Sequence, residues 1–243
     1  MRWAKWLVVT VCVFGLVHDN GWARRPKLAE LSAGLVIHIH NFTAMDEVSL
    51  SAAARDAEAI FQQAGVAVRV NVEPMAMRDG ERKPLHPFAP KPVDLVVNIL
   101  TREMAGALHV DKYVLGVAPG AGLANRNVVY VFAHRVKELS QMTVNTVRGG
   151  GPAWVVSESR VMAYALAHEI GHLLLNSEGH PRKGIMRGNW RYSELLAMAA
   201  MSLRFLPAEV EKIKLSANMR LALAGEVATS ESINPGWSSG SRP

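Results

Sequence analysis

His168-Glu169-Ile170-Gly171-His172 brings two imidazoles and a carboxylate within five residues. If the segment is helical, His168 and His172 are four apart and stand one above the other on one face. Two imidazoles so placed can both reach one metal ion, at about 2.0–2.1 Å each. Glu169 is one step round the helix, beside such an ion rather than on it. From there its carboxylate can take a proton from an activated water and later deliver it to a leaving amine.

The flanking sequence supports the helix. Met162, Leu166, Ile170, Leu173 and Leu174 recur at helical spacing, so a helix from about Ser157 to Leu175 is expected. That stripe can pack under a sheet while the histidines face a cleft. Asn176, Ser177 and Gly179 are turn formers that can stop the helix and swing the chain back. The returning chain offers two candidates for a third ligand, Glu178 and His180. A catalytic zinc takes three protein ligands and leaves one position open, and both three-His and two-His-one-Glu sets occur. His180 is the favoured choice, since two imidazoles already face the ion, and Glu178 is its rival.

The remaining elements are expected as follows. Gly34–His40 and Val66–Val72 read as strands, separated by a helix over Val48–Gln63 with Gly65 as its stop signal. The proline-rich stretch Met75–Pro92 reads as a loop, and Val93–Leu100 as a buried strand. Tyr113–Val117 and Val128–Phe132 are two further strand candidates, and Arg148–Pro152 is a flexible break. One or two C-terminal helices follow Trp190, the second with Pro207 in its first turn. This order predicts one α+β domain with a mixed sheet over residues 24–227. Residues 228–243, rich in Ser, Gly and Pro, are expected to be a disordered tail.

At the N-terminus, Arg2 and Lys5 precede an uncharged apolar run from Trp6 to Val17. The run is too short to span a bilayer comfortably but suits the core of an export signal, so residues 1–23 are expected to be a signal peptide and the protein secreted or periplasmic. No stable membrane anchor is expected after cleavage, and residues 24–33 are too short for a convincing pro-segment, which the sequence leaves open. The only cysteine, Cys12, lies inside that run. Disulfides, thiolate ligands and a nucleophilic cysteine are thereby excluded from the mature chain. With 49% hydrophobic and 20% charged residues the composition is that of a globular protein. The net charge of +6 is scattered rather than gathered in a basic stripe with aromatics, so no nucleic-acid role is expected.

His38 and His40 share one strand face, being two apart. They could serve a second metal with one more ligand, but lining a half-exposed face is the expected role.

The segment resembles the zincin metallopeptidases and, within them, the metzincins, whose pattern is H-E-x-x-H-x-x-G-x-x-H followed by a methionine-containing turn. His168, Glu169 and His172 match that pattern, and Gly184-Ile185-Met186 is similar to the methionine turn. Leu175 stands at the family's glycine position and Glu178 at that of its third histidine, with His180 two residues later. The resemblance spans about residues 155–190. It implies a metzincin-like fold: a twisted mixed sheet, an active-site helix and a smaller helical C-terminal part. It also implies a peptide or protein substrate lying along the sheet's edge strand, for which Val128–Phe132 and Tyr113–Val117 are the candidates. Tyr192 could serve as an oxyanion-stabilising phenol, as in some metzincins, although packing is its expected role.

The sequence therefore predicts a secreted zinc-dependent endopeptidase, with Zn2+ held by His168, His172 and His180 and with Glu169 as general base. Two alternatives stand beside it: a non-catalytic metal- or partner-binding module on a zincin scaffold, and a non-peptide zinc amidohydrolase.

Overall fold

The computed structural model describes residues 34–86, 90–91, 93–111, 113–119, 127–148 and 155–233. The expected signal peptide, the Gly-rich break after Arg148 and residues 234–243 lie outside them.

A five-stranded sheet has the order β2-β1-β5-β7-β6. Its strands are β1 (Leu35–Asn41), β2 (Val68–Val72), β5 (Leu95–Leu100), β6 (Gly116–Val117) and β7 (Val128–Phe132). β1 pairs in parallel with β2 and β5, and β5 with β7. Only β6 runs antiparallel, pairing with β7 through Gly116↔Val131 and Val117↔Tyr130. Of the two candidate edge strands, β6 is the edge and β7 is internal.

The alternation of β1 sorts its side chains. Leu35, Ile37 and Ile39 are buried in the core, and His38 and His40 point to the other face. Helix α1 (Glu47–Gln63) makes the crossover from β1 to β2. It starts where the Asp46 side chain accepts from the Ser49 amide (2.9 Å) and stops at Gly65, whose φ of +73° suits a residue without Cβ. Helix α4 (Glu158–Leu175) begins at Ser157, whose hydroxyl accepts from the Arg160 amide (3.2 Å). Every residue from Val161 to Leu174 is buried. Its apolar stripe packs with α1 and the sheet in one core, and each fully buried Leu or Ile there contributes about 1.5–3 kcal/mol.

Several elements depart from the sequence expectation. Within Met75–Pro92 lies a hairpin, β3 (Met75–Arg78) and β4 (Glu81–Pro84), closed by Asp79 and Gly80 at φ of 55° and 79°. An Asp-Gly pair with both φ positive is a favoured hairpin turn, and it prevails over the surrounding prolines. Between Tyr113 and Val117 only Gly116 and Val117 are strand, because Arg135 Nη1 donates to the carbonyls of Asp111 (2.7 Å) and Val114 (2.6 Å) and holds that stretch as a loop. Helices α2 (Arg102–Ala107) and α3 (Ala133–Arg148) complete the chain between β5 and α4. The buried face of α3 carries Ser140 and Thr143 beside Val136, so part of that face is polar.

Helices α5 (Tyr192–Ala199) and α6 (Pro207–Ile233) form the C-terminal part. Pro207 opens α6 as expected. The helix corrects the expected tail boundary, since residues 228–233 are still helical. Extending an existing helix costs far less than starting one, and Ala228 to Ser232 contain no breaker.

Candidate metal centre

Helix α4 presents His168 and His172 from successive turns, both 8% exposed. At its end Asn176 adopts the left-handed conformation (φ 50°, ψ 45°) and its amide still bonds to the His172 carbonyl. This reversal sends Ser177 to His180 back across the helix end. The His180 ring then closes on the other two. His168 Nε2 lies 3.1 Å from His172 Nε2 and 3.3 Å from His180 Nε2. Two nitrogens on one tetrahedral ion at about 2.0–2.1 Å are about 3.3–3.4 Å apart. The donor set therefore fits a small divalent cation.

The outward nitrogens fix which lone pairs face inward. His168 Nδ1 lies 2.8 Å from the Ile185 carbonyl, and His172 Nδ1 lies 2.7 Å from the Ser177 carbonyl. A carbonyl can only accept, so each Nδ1 carries the proton and donates, leaving each Nε2 free to bind. Burial lowers His168 to about 3 and shifts His172 the same way, so both rings are neutral near pH 7. Among the described residues, His168, His172 and His180 form the group that could hold a metal ion. Glu178, the rival third ligand, is exposed and outside that group.

Below the site, Gly184 turns the chain at φ +87°, and Ile185 and Met186 are fully buried. A Cβ on Gly171 would come within 2.5 Å of Met186 Sδ, so the sulfur seats directly against the helix between the two ligands. Trp190 lies edge-on to His168, ring centroids 5.7 Å apart, and its Nε1 donates to the same Ile185 carbonyl (3.1 Å).

Glu169 is 4% exposed, and burial pushes its carboxyl up to about 8. A nearby divalent cation acts in the opposite sense and favours the carboxylate. Its neighbour is the edge strand: a Cβ on Gly116 would fall 2.7 Å from Glu169 Cγ and 2.5 Å from the Tyr130 carbonyl. The three histidines and Glu169 line one cavity of about 630 Å³, walled by β6, α3 and the segment 187–190. The sequence pointed to the four polar residues but not to Gly116, Gly188 or Trp190, which reach the site only through tertiary packing.

The other candidates fall elsewhere. His38 sits between Glu73 (Nδ1 to Oε1, 2.6 Å) and Asp94 (Nε2 to Oδ2, 3.3 Å), and His40 Nδ1 lies 3.1 Å from Asn98 Oδ1. The two rings are thus committed to different partners. Tyr192 is half-exposed at the start of α5 and does not line the cavity.

No family model matches the chain, and no curated protein matches it. Among solved structures it is similar to an archaemetzincin from Methanopyrus kandleri. The identity is 16%, the match covers 78% of this chain and 98% of that one, and the TM-score is 0.46.

Proposed function

We infer that this protein is a zinc-dependent endopeptidase. The reading rests on one observation: three imidazole Nε2 atoms converge, two of them oriented by main-chain carbonyls, in a cavity that also holds the buried carboxyl of Glu169. Zinc bound by three imidazoles with one position open brings a water's pKa toward neutrality and polarises a carbonyl. Imidazole donors and a small tetrahedral spacing favour zinc over magnesium or calcium, which prefer oxygen ligands.

The chain's own residues supply the rest. The outer edge of β6 runs beside the cavity, and an extended peptide can lie along it as an added strand. Glu169, under Gly116, is then next to the scissile bond. It takes the proton of the attacking water, which forms the new C–O bond, and passes that proton to the departing amine nitrogen as the C–N bond breaks. The cavity wall of α3 and β6 shields this transfer from bulk water. Arg2 and Lys5 ahead of the apolar run Trp6–Val17 support export of the protein.

The test is cleavage of denatured protein by the purified chain. Activity that is lost with a chelator, restored by zinc and absent in Glu169→Ala supports the reading. One bound zinc with no cleavage of any peptide by the wild type would sink it in favour of a non-catalytic metal module.

A further inference from the structure

We propose that Glu194, which touches none of the three histidines, is a positioning residue for two of them. This rests on the reading that His168, His172 and His180 hold zinc. The three ligands are not held alike. His168 and His172 project from a buried helix, each with Nδ1 on a carbonyl. His180 is on the exposed turn after the helix, and its ring lies on Gly188. A Cβ at Gly188 would be 2.9 Å from His180 Cγ and 3.1 Å from Cδ2. The position of residue 188 therefore sets the position of the third imidazole.

Gly188 belongs to the segment Arg187–Arg191, and one carboxylate ties both ends of it. Glu194 Oε1 accepts from Arg187 Nη1 (3.0 Å), and Oε2 accepts from the Arg191 amide (2.9 Å). The same segment carries Trp190, which lies edge-on to His168 and donates to the carbonyl that orients His168. Glu194 is 6% exposed, so this clamp is shielded from solvent and salt. Removing its charge leaves the Arg187 guanidinium, itself largely buried, without its anion and frees the segment to move. The clamp thus stands behind His180 through Gly188 and behind His168 through Trp190.

The experiment measures zinc affinity of the full chain by competition with a chelator, together with the melting temperature of the metal-free protein and the visible spectrum of the cobalt-substituted one. Glu194→Gln keeps shape and loses charge. Its zinc Kd should rise up to about 10-fold, the low end of what a direct partner of a metal ligand is worth, since Glu194 acts one contact further out, and the cobalt bands should shift. A wild-type-like Kd and spectrum, with only the metal-free melting temperature lowered, would show a merely structural role and overturn the proposal. Should Glu194→Gln not fold, Gly188→Ala tests the same support from the other end: a similar loss is expected, and unchanged affinity overturns it. A wild type that takes up no zinc overturns the metal reading as well, whereas a zinc-binding wild type with an unaffected Glu194→Gln overturns the positioning role alone.

Discussion

Gly116 of the edge strand and Glu169 of helix α4 approach so closely that no side chain fits between them: a Cβ on Gly116 would lie 2.7 Å from Glu169 Cγ and 2.9 Å from its Cδ. The strand that would receive substrate and the carboxyl that would move the proton are thereby fixed relative to each other.

Gly116→Ala should lower kcat while zinc content stays at the wild-type level. Either the carboxyl or the strand must shift, and a displacement of about 1 Å at a reacting group can cost about 100-fold in rate. Steady-state kinetics beside metal analysis checks this. Full activity in the variant would show that the contact is not needed.

Glu169→Gln should retain zinc and lose about two to four orders of magnitude in activity, the usual contribution of a general base. The same change should alter the metal-free protein's stability in a defined direction. The folded pKa of Glu169 is about 8 against an ordinary value of 4.5. Between those values the unfolded chain has released a proton that the folded one keeps, so this group's contribution falls as pH rises from 4.5 to about 8. Glu169→Gln should remove that fall, by up to a few kcal/mol near pH 8. Chelator-treated proteins melted across this pH range will show it, and parallel curves would contradict it.

Acid should act through His168 in the opposite direction. Its folded pKa, about 3, is depressed below the ordinary 6.5, so its contribution to metal-free stability is complete above 6.5 and is lost as pH falls toward 3. In the folded protein a proton competes with metal for the same nitrogen only as pH approaches about 3, so zinc is expected to stay at His168 down to that range while the fold holds. Melting of the chelator-treated protein at stepped pH between about 7 and 3 tests the stability claim, and a melting temperature that does not fall on acidification would contradict it.

Asn176 holds a left-handed conformation at the end of α4 (φ 50°). Asn176→Gly should be neutral or stabilising. Asn176→Val should cost about 1–2 kcal/mol and weaken zinc binding, because the same turn sets the Ser177 carbonyl against His172. Melting curves and zinc affinity for both variants decide it, and equal behaviour of the two would show that the turn is not under this constraint.

What the sequence made legible was local. The four-residue spacing of His168 and His172 lies within a single helix, and the placing of His38 and His40 on one face of β1 needs only near neighbours. The choice between Glu178 and His180 depended on how Asn176 turns the chain, which spacing leaves open. Gly116 is far from Glu169 in sequence, so nothing around either residue signals their contact. Glu194 reads as an ordinary acidic residue near a helix start, and only tertiary packing shows that it gathers both ends of 187–191. Helix α3 stayed hidden because polar residues make up most of its length and Ser140 and Thr143 stand on its buried face, while the Asp79-Gly80 signal was masked by the prolines beside it.

The groups that orient His168 and His172 are peptide oxygens, those of Ile185 and Ser177. No codon change can delete a peptide oxygen. A side-chain scan of the whole protein would pass over both acceptors and record the site as simpler than it is. By the same logic, a substitution of exposed Ser177 would leave its acceptor in place, provided the backbone path through it is kept, whereas Ile185 is held besides by its buried side chain.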